Sequence, residues 1–458
     1  MTDGNTFRQK MSRWDALAVM ALGAIRATRQ SLSRDPNLPK EGAAYIVRSL
    51  KNPHEVKTLR RIYGPAFILI SVYSTRSARL ERLSQIIARS EGDSAHPDRY
   101  RDRAETLVKT DFNEQGVPFG QNLRDAFPLA DVFVEVSEDE ARLEGTLRKF
   151  IELLFRHPYH TLNRDEYGMF MAFSGALRSS DLGRQVGAAI ADDHGDILSV
   201  GTNEVPRPGG GQYWDGDIPN ARDFTREDFA FDRFRTEIIE DILSRLKKMN
   251  WLNKKKDQDT SSLTEDCTDG MDGALYQDVI EYGRTVHAEL SAILGAARRG
   301  TRIEKSVLYS TTFPCHECAR NIVAAGITKV VYIHPYSKSR VESLLNDSIT
   351  VDGEHVSPES THRNIPEPIQ FVPFVGISPN RYQILFDATD VSRKKAGKPI
   401  KWDGKTESPK GEEIMKAYSR KFREQLEFEV FLKEMKRKGI FPTKEGRRVK
   451  KRLVRRAG

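Results

Sequence analysis

Three side chains that commonly bind zinc lie in two short segments, one histidine in 285–289 and two cysteines in 313–318. A catalytic zinc ion takes three protein ligands and keeps a fourth position open for water. His287, Cys315 and Cys318 offer one imidazole and two thiolates for such a site. The C-x-x-C spacing at the start of a helix puts both sulfur atoms on one side, and the amino end of the helix favours thiolates. The sequence therefore predicts one zinc ion held by these three residues.

Glu289, two residues after His287, is predicted to face the water on the metal without binding the metal. Zinc lowers the pKa of a bound water towards about 7. A neighbouring carboxylate can take that proton and pass it to a ring nitrogen and then to departing ammonia. The order H-x-E followed by P-C-x-x-C is the signature of zinc nucleobase deaminases, and this chain matches it. Glu289 is thus the expected catalytic acid and base.

A structural zinc site is the alternative interpretation of the same residues. It would need a fourth ligand, which Cys267 or another histidine such as His316 would have to supply. Cys267 lies in a polar, Lys-rich segment and is expected to be a free thiol, and His316 is expected to face solvent. The sequence therefore favours the catalytic site.

Alternating helices and strands are predicted around these ligands, from residue 163 to 386. We expect helices at 167–177, 285–299 and 315–325, and strands at 185–190, 197–202, 306–310 and 329–333. His287 opens a helix whose apolar stripe consists of Val286, Leu290, Ile293, Leu294 and Ala297. The two ligand segments are therefore predicted to meet where two helix N-termini converge beside a sheet.

The rest of the chain divides by pattern into further segments. Apolar runs at 66–73 and 130–136 alternate with helices, which indicates an α/β sheet with parallel strands. We expect an α/β domain at 1–137, a linker helix at 138–157, a zinc-binding domain at 158–390 with a polar insertion at about 247–272, and a basic tail at 391–458. The tail is predicted to hold one amphipathic helix, with Met415, Tyr418, Phe422, Leu426 and Val430 on one face.

The net charge of +8 over 458 residues comes from the tail alone. Residues 391–458 hold 23 Lys and Arg against 9 Asp and Glu, a net +14, and this leaves residues 1–390 with a net −6. The charge therefore gives little information about the substrate. Three cysteines fit a reducing compartment, and no apolar run approaches the roughly 20 residues that cross a bilayer. The cytoplasm is the expected location, with no membrane partner.

Several segments resemble a known family. Ser179–Ala189 and Gly201–Asn203 resemble deoxycytidylate deaminases, and the segments 203–207, 209–214, 330–340 and 371–376 resemble the anti-phage dCTP deaminases. The resemblance reaches about residue 386 and includes 44–50, the strand ending at Tyr73, and 119–125. It implies a three-layer α/β/α domain of the cytidine deaminase type, preceded by a P-loop-kinase-like α/β domain. The phosphate-binding G-x-x-x-x-G-K-[ST] loop is absent from this chain. The kinase-like domain is therefore expected to be truncated or degenerate and not to hydrolyse NTP.

The resemblance also implies substrate contacts. Asn203 is expected to bond the sugar or base, Ala288 to offer its backbone amide to the pyrimidine carbonyl, and Thr312 to line the base pocket. Tyr336 and Tyr332 are candidates to flank the ring, although Tyr332 is equally compatible with a place in the core. The candidate phosphate-binding cations, each of which could instead be a solvated surface residue, are Arg184, Arg207, Lys338 and Arg340.

The function that these features together imply is zinc-dependent deamination of free deoxycytidine nucleotides, dCTP and also dCMP, which would deplete dCTP during phage infection. A homo-oligomer and restraint by a regulatory nucleotide or RNA are expected by the same resemblance. Three alternatives stay open: a housekeeping dCMP deaminase, a tRNA or single-stranded DNA deaminase that uses the basic tail, and a non-enzymatic sensor.

Overall fold

The computed structural model describes residues 2–37, 42–114, 116–136, 140–226, 230–251, 274, 282–335, 339–352, 367–410 and 417–440. The chain forms two compact units. Unit 1 combines residues 1–161 with 375–458, and unit 2 consists of residues 162–374. The predicted linker helix and the predicted tail both belong to unit 1. Most of the predicted polar insertion, with Cys267, lies outside the described residues.

The helices are, in chain order, α1 Thr2–Met11, α2 Ala16–Ser33, α3 Pro53–Tyr63, α4 Arg76–Ser90, α5 Arg101–Phe112, α6 Leu123–Ala126, α7 Glu140–Leu154, α8 Arg164–Ala176, α9 Ala230–Lys248, α10 Ala288–Arg299, α11 His316–Ala324, α12 Val341–Leu344, α13 Tyr382–Phe386 and α14 Ala417–Arg437. The strands are β1 Ile70–Tyr73, β2 Val132–Glu135, β3 Gly187–Ala191, β4 Ile197–Thr202, β5 Val307–Thr312, β6 Lys329–His334, β7 Ile349–Val351, β8 Ile369–Pro373, β9 Gly376–Ile377, β10 Lys394–Lys395 and β11 Lys398–Pro399.

A mixed sheet of six strands forms the centre of unit 2, in the order β4-β3-β5-β6-β8-β7. The strands β4, β3 and β5 pair antiparallel, whereas β5, β6, β8 and β7 pair parallel. The predicted strand positions are each met within two residues. Unit 2 is thus a mixed α/β structure, with its antiparallel pairs at one edge.

Helices cover both faces of this sheet. A side-chain carbon added at Gly187 would lie 1.9 Å from the carbonyl oxygen of Ala172 in α8, and one added at Gly201 would lie 2.1 Å from that of Ala288 in α10. Gly201 pairs with Ala188, so it points to the same face as Ala188 and to the opposite face from Gly187. Helices α8 and α10 therefore lie on opposite faces, as the predicted three layers require.

Unit 1 contains a smaller sheet in which β1 and β2 are parallel, as predicted, and β9 joins β2 antiparallel. Asp131, 1% exposed, holds this region together. It accepts hydrogen bonds from Arg60 and Arg381, each at 2.8 Å, and from the backbone N–H of Leu69 at 2.7 Å. The antiparallel strand β9 was not predicted, because two residues are too few to show the alternation of apolar and polar residues that indicates a strand.

Helix α14 of the predicted tail packs on the N-terminal helices. Glu424 is 2% exposed and accepts from Arg29 at 3.0 and 2.9 Å, and Phe431 is 1% exposed in the cluster of Met11, Val19 and Leu22. Of the predicted apolar face, Met415 and the side chain of Tyr418 lie outside the described part of the chain, and the other three residues point away from this contact.

The side chains of Phe422, Leu426 and Val430 are 64%, 50% and 41% exposed. The face that packs carries Glu424, Phe428 and Phe431. Because this face includes a buried acidic residue, a pattern of apolar residues alone does not predict it. Across the described residues, none of the helices is long and apolar enough to span a membrane.

Candidate active site

Two helix starts hold the predicted zinc ligands, as expected. His287 is the residue immediately before α10, and Cys315 is the residue immediately before α11. The segment leading to His287 is fixed by a bridge in which Glu204 and Val286 exchange backbone hydrogen bonds of 3.3 and 3.1 Å. Cys318 lies in the first turn of α11 and donates its backbone N–H to Cys315 Sγ at 3.4 Å. Both ligand segments therefore end at the positive end of a helix.

The three ligand atoms lie close enough together to bind one ion. His287 Nδ1 lies 3.3 Å from Cys315 Sγ and 3.5 Å from Cys318 Sγ. A tetrahedral zinc ion with ordinary Zn–S and Zn–N bonds separates its sulfur and nitrogen ligands by about 3.6 Å. The distances therefore fit zinc without rearrangement, and His287, Cys315 and Cys318 together could hold one metal ion. The assignment of these three residues as the zinc ligands stays a prediction.

A fourth protein ligand is not found among the described residues, since no other His, Cys, Asp or Glu joins this group. His316 does not take part. It is half-buried rather than solvent-facing as expected, and its Nδ1 is buried without a hydrogen-bond partner. The expectation was wrong because His316 lies in the first turn of α11, between the two buried cysteines. Three ligands and an open position are the pattern of a catalytic zinc ion.

The electrostatics of the group favour a cation between the two sulfur atoms. The hydrogen bond from Cys318, followed by that from His287, lowers the pKa of Cys315 to about 4. The same thiolate raises the pKa of His287 to about 9, against the opposing effect of burial. The neighbouring thiolate and burial raise the pKa of Cys318. A divalent cation bound between the sulfur atoms would stabilise both cysteines as thiolates.

Glu289 lies in the first turn of α10 and is 4% exposed. Its Oε1 accepts a hydrogen bond from Ser310 Oγ at 3.1 Å, and burial, followed by the charge of Cys315, raises its pKa. Ser310 of β5 was missed by the sequence analysis. The alternation of side chains along the strand could have indicated it, because Leu308, Ser310 and Thr312 lie on the face of the sheet that α10 covers.

Asn203 supports the backbone beside the site. Its Oδ1 accepts from the N–H of Val186 at 2.7 Å, and its Nδ2 donates to the carbonyl of Arg184 at 2.7 Å. These bonds fix the segment that leads into β3. A direct contact between Asn203 and substrate stays a prediction.

Glu204 is a second residue that the sequence analysis missed. It is 1% exposed, and its carboxylate accepts from Ser180 N–H at 3.0 Å, from Ser180 Oγ at 2.6 Å and from Val205 N–H at 2.9 Å. It thereby connects the loop at Ser180 to the backbone bridge before His287. Its signal in the sequence was only an acidic residue after a buried strand.

The other predicted substrate contacts differ in burial, and two of them are not described. Ala288 is fully buried, and Thr312 is half-buried at the end of β5. Tyr332 is 8% exposed, donates to Asp352 at 3.1 Å and packs edge-on against Phe313, as its alternative core role predicts. Tyr336 and Lys338 lie outside the described residues.

The described candidate cations all lie at the surface. Arg184 and Arg340 are exposed, and Arg207 forms an ion pair with Asp217 at 3.3 Å. Their roles as phosphate ligands stay predictions.

The family comparison falls on this same segment. Residues 162–334 match the family described as the cytidine and deoxycytidylate deaminase zinc-binding region. The match covers β3 to β6 and includes His287, Glu289, Cys315 and Cys318. It therefore supports a deaminase-type zinc region in unit 2.

Individual relatives are similar over shorter stretches. The deoxycytidylate deaminase of Enterobacteria phage T2 is 49% identical over 55 residues, which cover 12% of this chain and 29% of that protein. The probable deoxycytidylate deaminase of Drosophila melanogaster is 29% identical over 172 residues, 38% of this chain and 60% of that protein. The chain thus spans less than two thirds of these relatives.

Among solved structures, the apo dCMP deaminase of cyanophage S-TIM5 aligns with 47% of this chain and 100% of its own at 16% identity. The TM-score of 0.25 is too low to identify a shared fold.

Proposed function

We propose that unit 2 catalyses the hydrolytic deamination of the cytosine base in free deoxycytidine nucleotides. The observation that carries the proposal is the three-ligand group of His287, Cys315 and Cys318 with the buried carboxyl of Glu289 in the same helix turn as the histidine. The same residues make up the deaminase signature in the sequence.

The chemistry follows from what each group can do. Zinc, when bound by the three ligands, supplies the Lewis acidity that makes a water molecule nucleophilic at neutral pH. Glu289 would take a proton from that water and deliver it to N3 of the base, then a second proton to the departing amine. The C4–O bond forms first, as the C4=N3 double bond opens and N3 takes the proton. The C4–N4 bond then breaks as the hydroxyl at C4 gives up the second proton and becomes a carbonyl, so cytosine and water give uracil and ammonia. Ser310 would hold the carboxyl of Glu289 in position throughout, because it donates to Oε1.

For the substrate, we propose dCTP, with dCMP as a second substrate. The phage T2 and Drosophila relatives are deoxycytidylate deaminases by name, and the resemblance to anti-phage dCTP deaminases supports the triphosphate. Among the described candidates, Arg184 and Arg340 are exposed and form no ion pair, and they would bind phosphate. The physiological role that follows is dCTP depletion during phage infection, with a housekeeping dCMP deaminase as the alternative.

A nucleotide panel tests the reaction and the substrate class together. Wild type and Glu289→Gln are incubated with dCTP, dCMP, CTP and deoxycytidine, and the uracil-containing product of each is quantified. Glu237→Gln, on an exposed position of α9, serves as the matched control. Wild type and the control should convert dCTP and dCMP, whereas Glu289→Gln should lose about 10²- to 10⁴-fold in rate. Conversion of dCMP alone would favour the housekeeping role, and conversion of neither nucleotide would refute the proposal.

A polynucleotide deaminase remains the second candidate because of the basic residues after 440. Truncation at residue 390 would also remove α14, which packs in unit 1, so replacing the charges is the cleaner test. Replacing Lys450, Lys451, Arg452, Arg455 and Arg456 with Gln should leave dCTP turnover unchanged. Loss of activity on tRNA or single-stranded DNA, with dCTP inert throughout, would establish the alternative. The kinase-like character of the N-terminal unit, its regulation by nucleotide or RNA, and homo-oligomerisation stay predictions.

A further inference from the structure

A second group of metal-binding side chains lies in unit 1, far along the chain from the deaminase signature. Glu152 is in the last turn of α7, and His157 and His160 follow in the loop after that helix. One ligand atom from each residue lies within 4.8 Å of the others. Neither the proposed reaction nor the family match, which begins at residue 162, uses these residues.

The arrangement of the two rings suits a shared ion. The centroids of His157 and His160 are 4.1 Å apart with planes inclined by 30°, and His160 Nε2 lies 2.5 Å from Glu152 Oε2. All three side chains are half-buried, so an ion from solvent can reach them. A donor set of two imidazoles and one carboxylate is one that zinc accepts with a further position left open.

Contacts from outside the group hold the loop that carries the histidines. Trp402 packs edge-on against the His157 ring with centroids 4.8 Å apart, and its Nε1–H donates to the carbonyl of Phe155 at 3.0 Å. Tyr159 Oη donates towards the carbonyls of Arg393 and Ile400 at 2.7 and 3.1 Å. Side chains that hold the ligands of a metal site in place raise its affinity for the ion, because the ligands lose little conformational entropy when the ion binds.

One contact competes with an ion. The backbone N–H of Tyr159 donates to His157 Nδ1 at 3.3 Å, which is longer than a usual N–H···N or N–H···O bond. An ion bound at Nδ1 would replace this weak hydrogen bond. An ion at the group would likewise replace the hydrogen bond between His160 and Glu152, with release of the proton they share.

We propose that Glu152, His157 and His160 form a second binding site for a divalent transition-metal ion of the zinc class, separate from the deaminase zinc. The ion would join the end of α7 to the loop 155–161, which directly precedes the first residue of unit 2 in the sequence. The alternative is a hydrogen-bonded pair of His160 and Glu152 that binds no ion.

Metal stoichiometry separates these alternatives without reference to activity. The full-length protein is dialysed against Zn²⁺, and bound zinc per chain is measured by elemental analysis for wild type, His160→Asn, Cys318→Ser and both changes combined. His194→Asn, whose side chain is 79% exposed, is the matched histidine control. We expect two zinc ions for wild type and the control, one for each single variant and none for the combination.

Loading with Co²⁺ identifies which site each variant has lost. Thiolate-to-cobalt absorption should disappear in Cys318→Ser and persist in His160→Asn. Glu152→Gln, which keeps the size of the side chain, should also lose one ion, and circular dichroism verifies that each variant is folded. One zinc ion per wild-type chain, lost in Cys318→Ser and retained in His160→Asn, would overturn the second site. Each site is assigned by the loss of zinc in its own variant and not by activity. The number of sites can therefore be determined even if the proposed deaminase function fails.

Discussion

The two groups of metal-binding side chains in the described part of the chain differ in their surroundings. His287, Cys315 and Cys318 lie at two helix N-termini, with both cysteines buried and two sulfur donors. The group of Glu152, His157 and His160 lies at the end of α7, is half-buried and offers only nitrogen and oxygen. A helix N-terminus favours the thiolate form of a cysteine, and the thiolate is the form that binds zinc. We therefore expect the second group, at a helix end and a loop, to bind an ion more weakly than the first.

The largest expected effect comes from removing a sulfur ligand. Cys318→Ser should abolish deamination, because a serine hydroxyl at neutral pH is not deprotonated as a zinc ligand must be. The same variant should leave the zinc at His157 and His160 in place, which would show that the two sites are independent. Turnover of dCTP and zinc content, measured on one preparation, check both statements. Unchanged turnover would place the catalytic metal elsewhere.

A smaller loss is expected from Ser310→Ala, which removes the hydrogen bond to Glu289. Hydrogen bonds to charged groups contribute about 1.5–3 kcal/mol, which corresponds to a rate loss of about 10- to 150-fold. The kcat for dCTP should fall while the zinc content stays at the wild-type value. Ser174→Ala, at an exposed position of α8, is the control and should change neither quantity. Loss of zinc in Ser310→Ala would mean that the serine supports the metal ligands rather than the carboxyl.

The smallest effect concerns the loop of the second site. Trp402→Phe keeps an aromatic ring beside His157 but removes the donor to the carbonyl of Phe155. One neutral hydrogen bond of about 0.5–1.5 kcal/mol corresponds to a loss of about 2- to 10-fold in zinc affinity at this site. Calorimetric titration with Zn²⁺ in the Cys318→Ser background measures that site alone. An affinity equal to that of Cys318→Ser would show that the loop does not need this anchor.

The sequence predicted those features that depend on neighbours in the chain. The zinc ligands and Glu289 lie in two short motifs, and both helix starts and the strands beside them are local patterns of apolar residues. The contacts between residues distant in sequence were not predictable. Ser310 meets Glu289 only because β5 lies under α10, and Glu204 reaches Ser180 only because β4 returns beside β3.

Helix α14 and the second metal group show the same limit. The buried pair of Glu424 and Arg29 spans 395 positions, and no hydrophobic pattern in the tail reveals a packing face that contains an acid. Glu152 precedes His157 by five residues across a helix end, a spacing that belongs to no regular face of a helix. The anchor of that loop, Trp402, lies far beyond unit 2 in the sequence.

The most direct test of the central claim is the product balance of the purified protein with dCTP. Zinc-loaded wild type should release ammonia and a deoxyuridine nucleotide in equal amounts, and Glu289→Gln should retain its zinc while losing at least about 100-fold in rate. Wild-type turnover in Glu289→Gln, or a zinc-loaded wild type that forms neither product from dCTP or dCMP, would contradict the account.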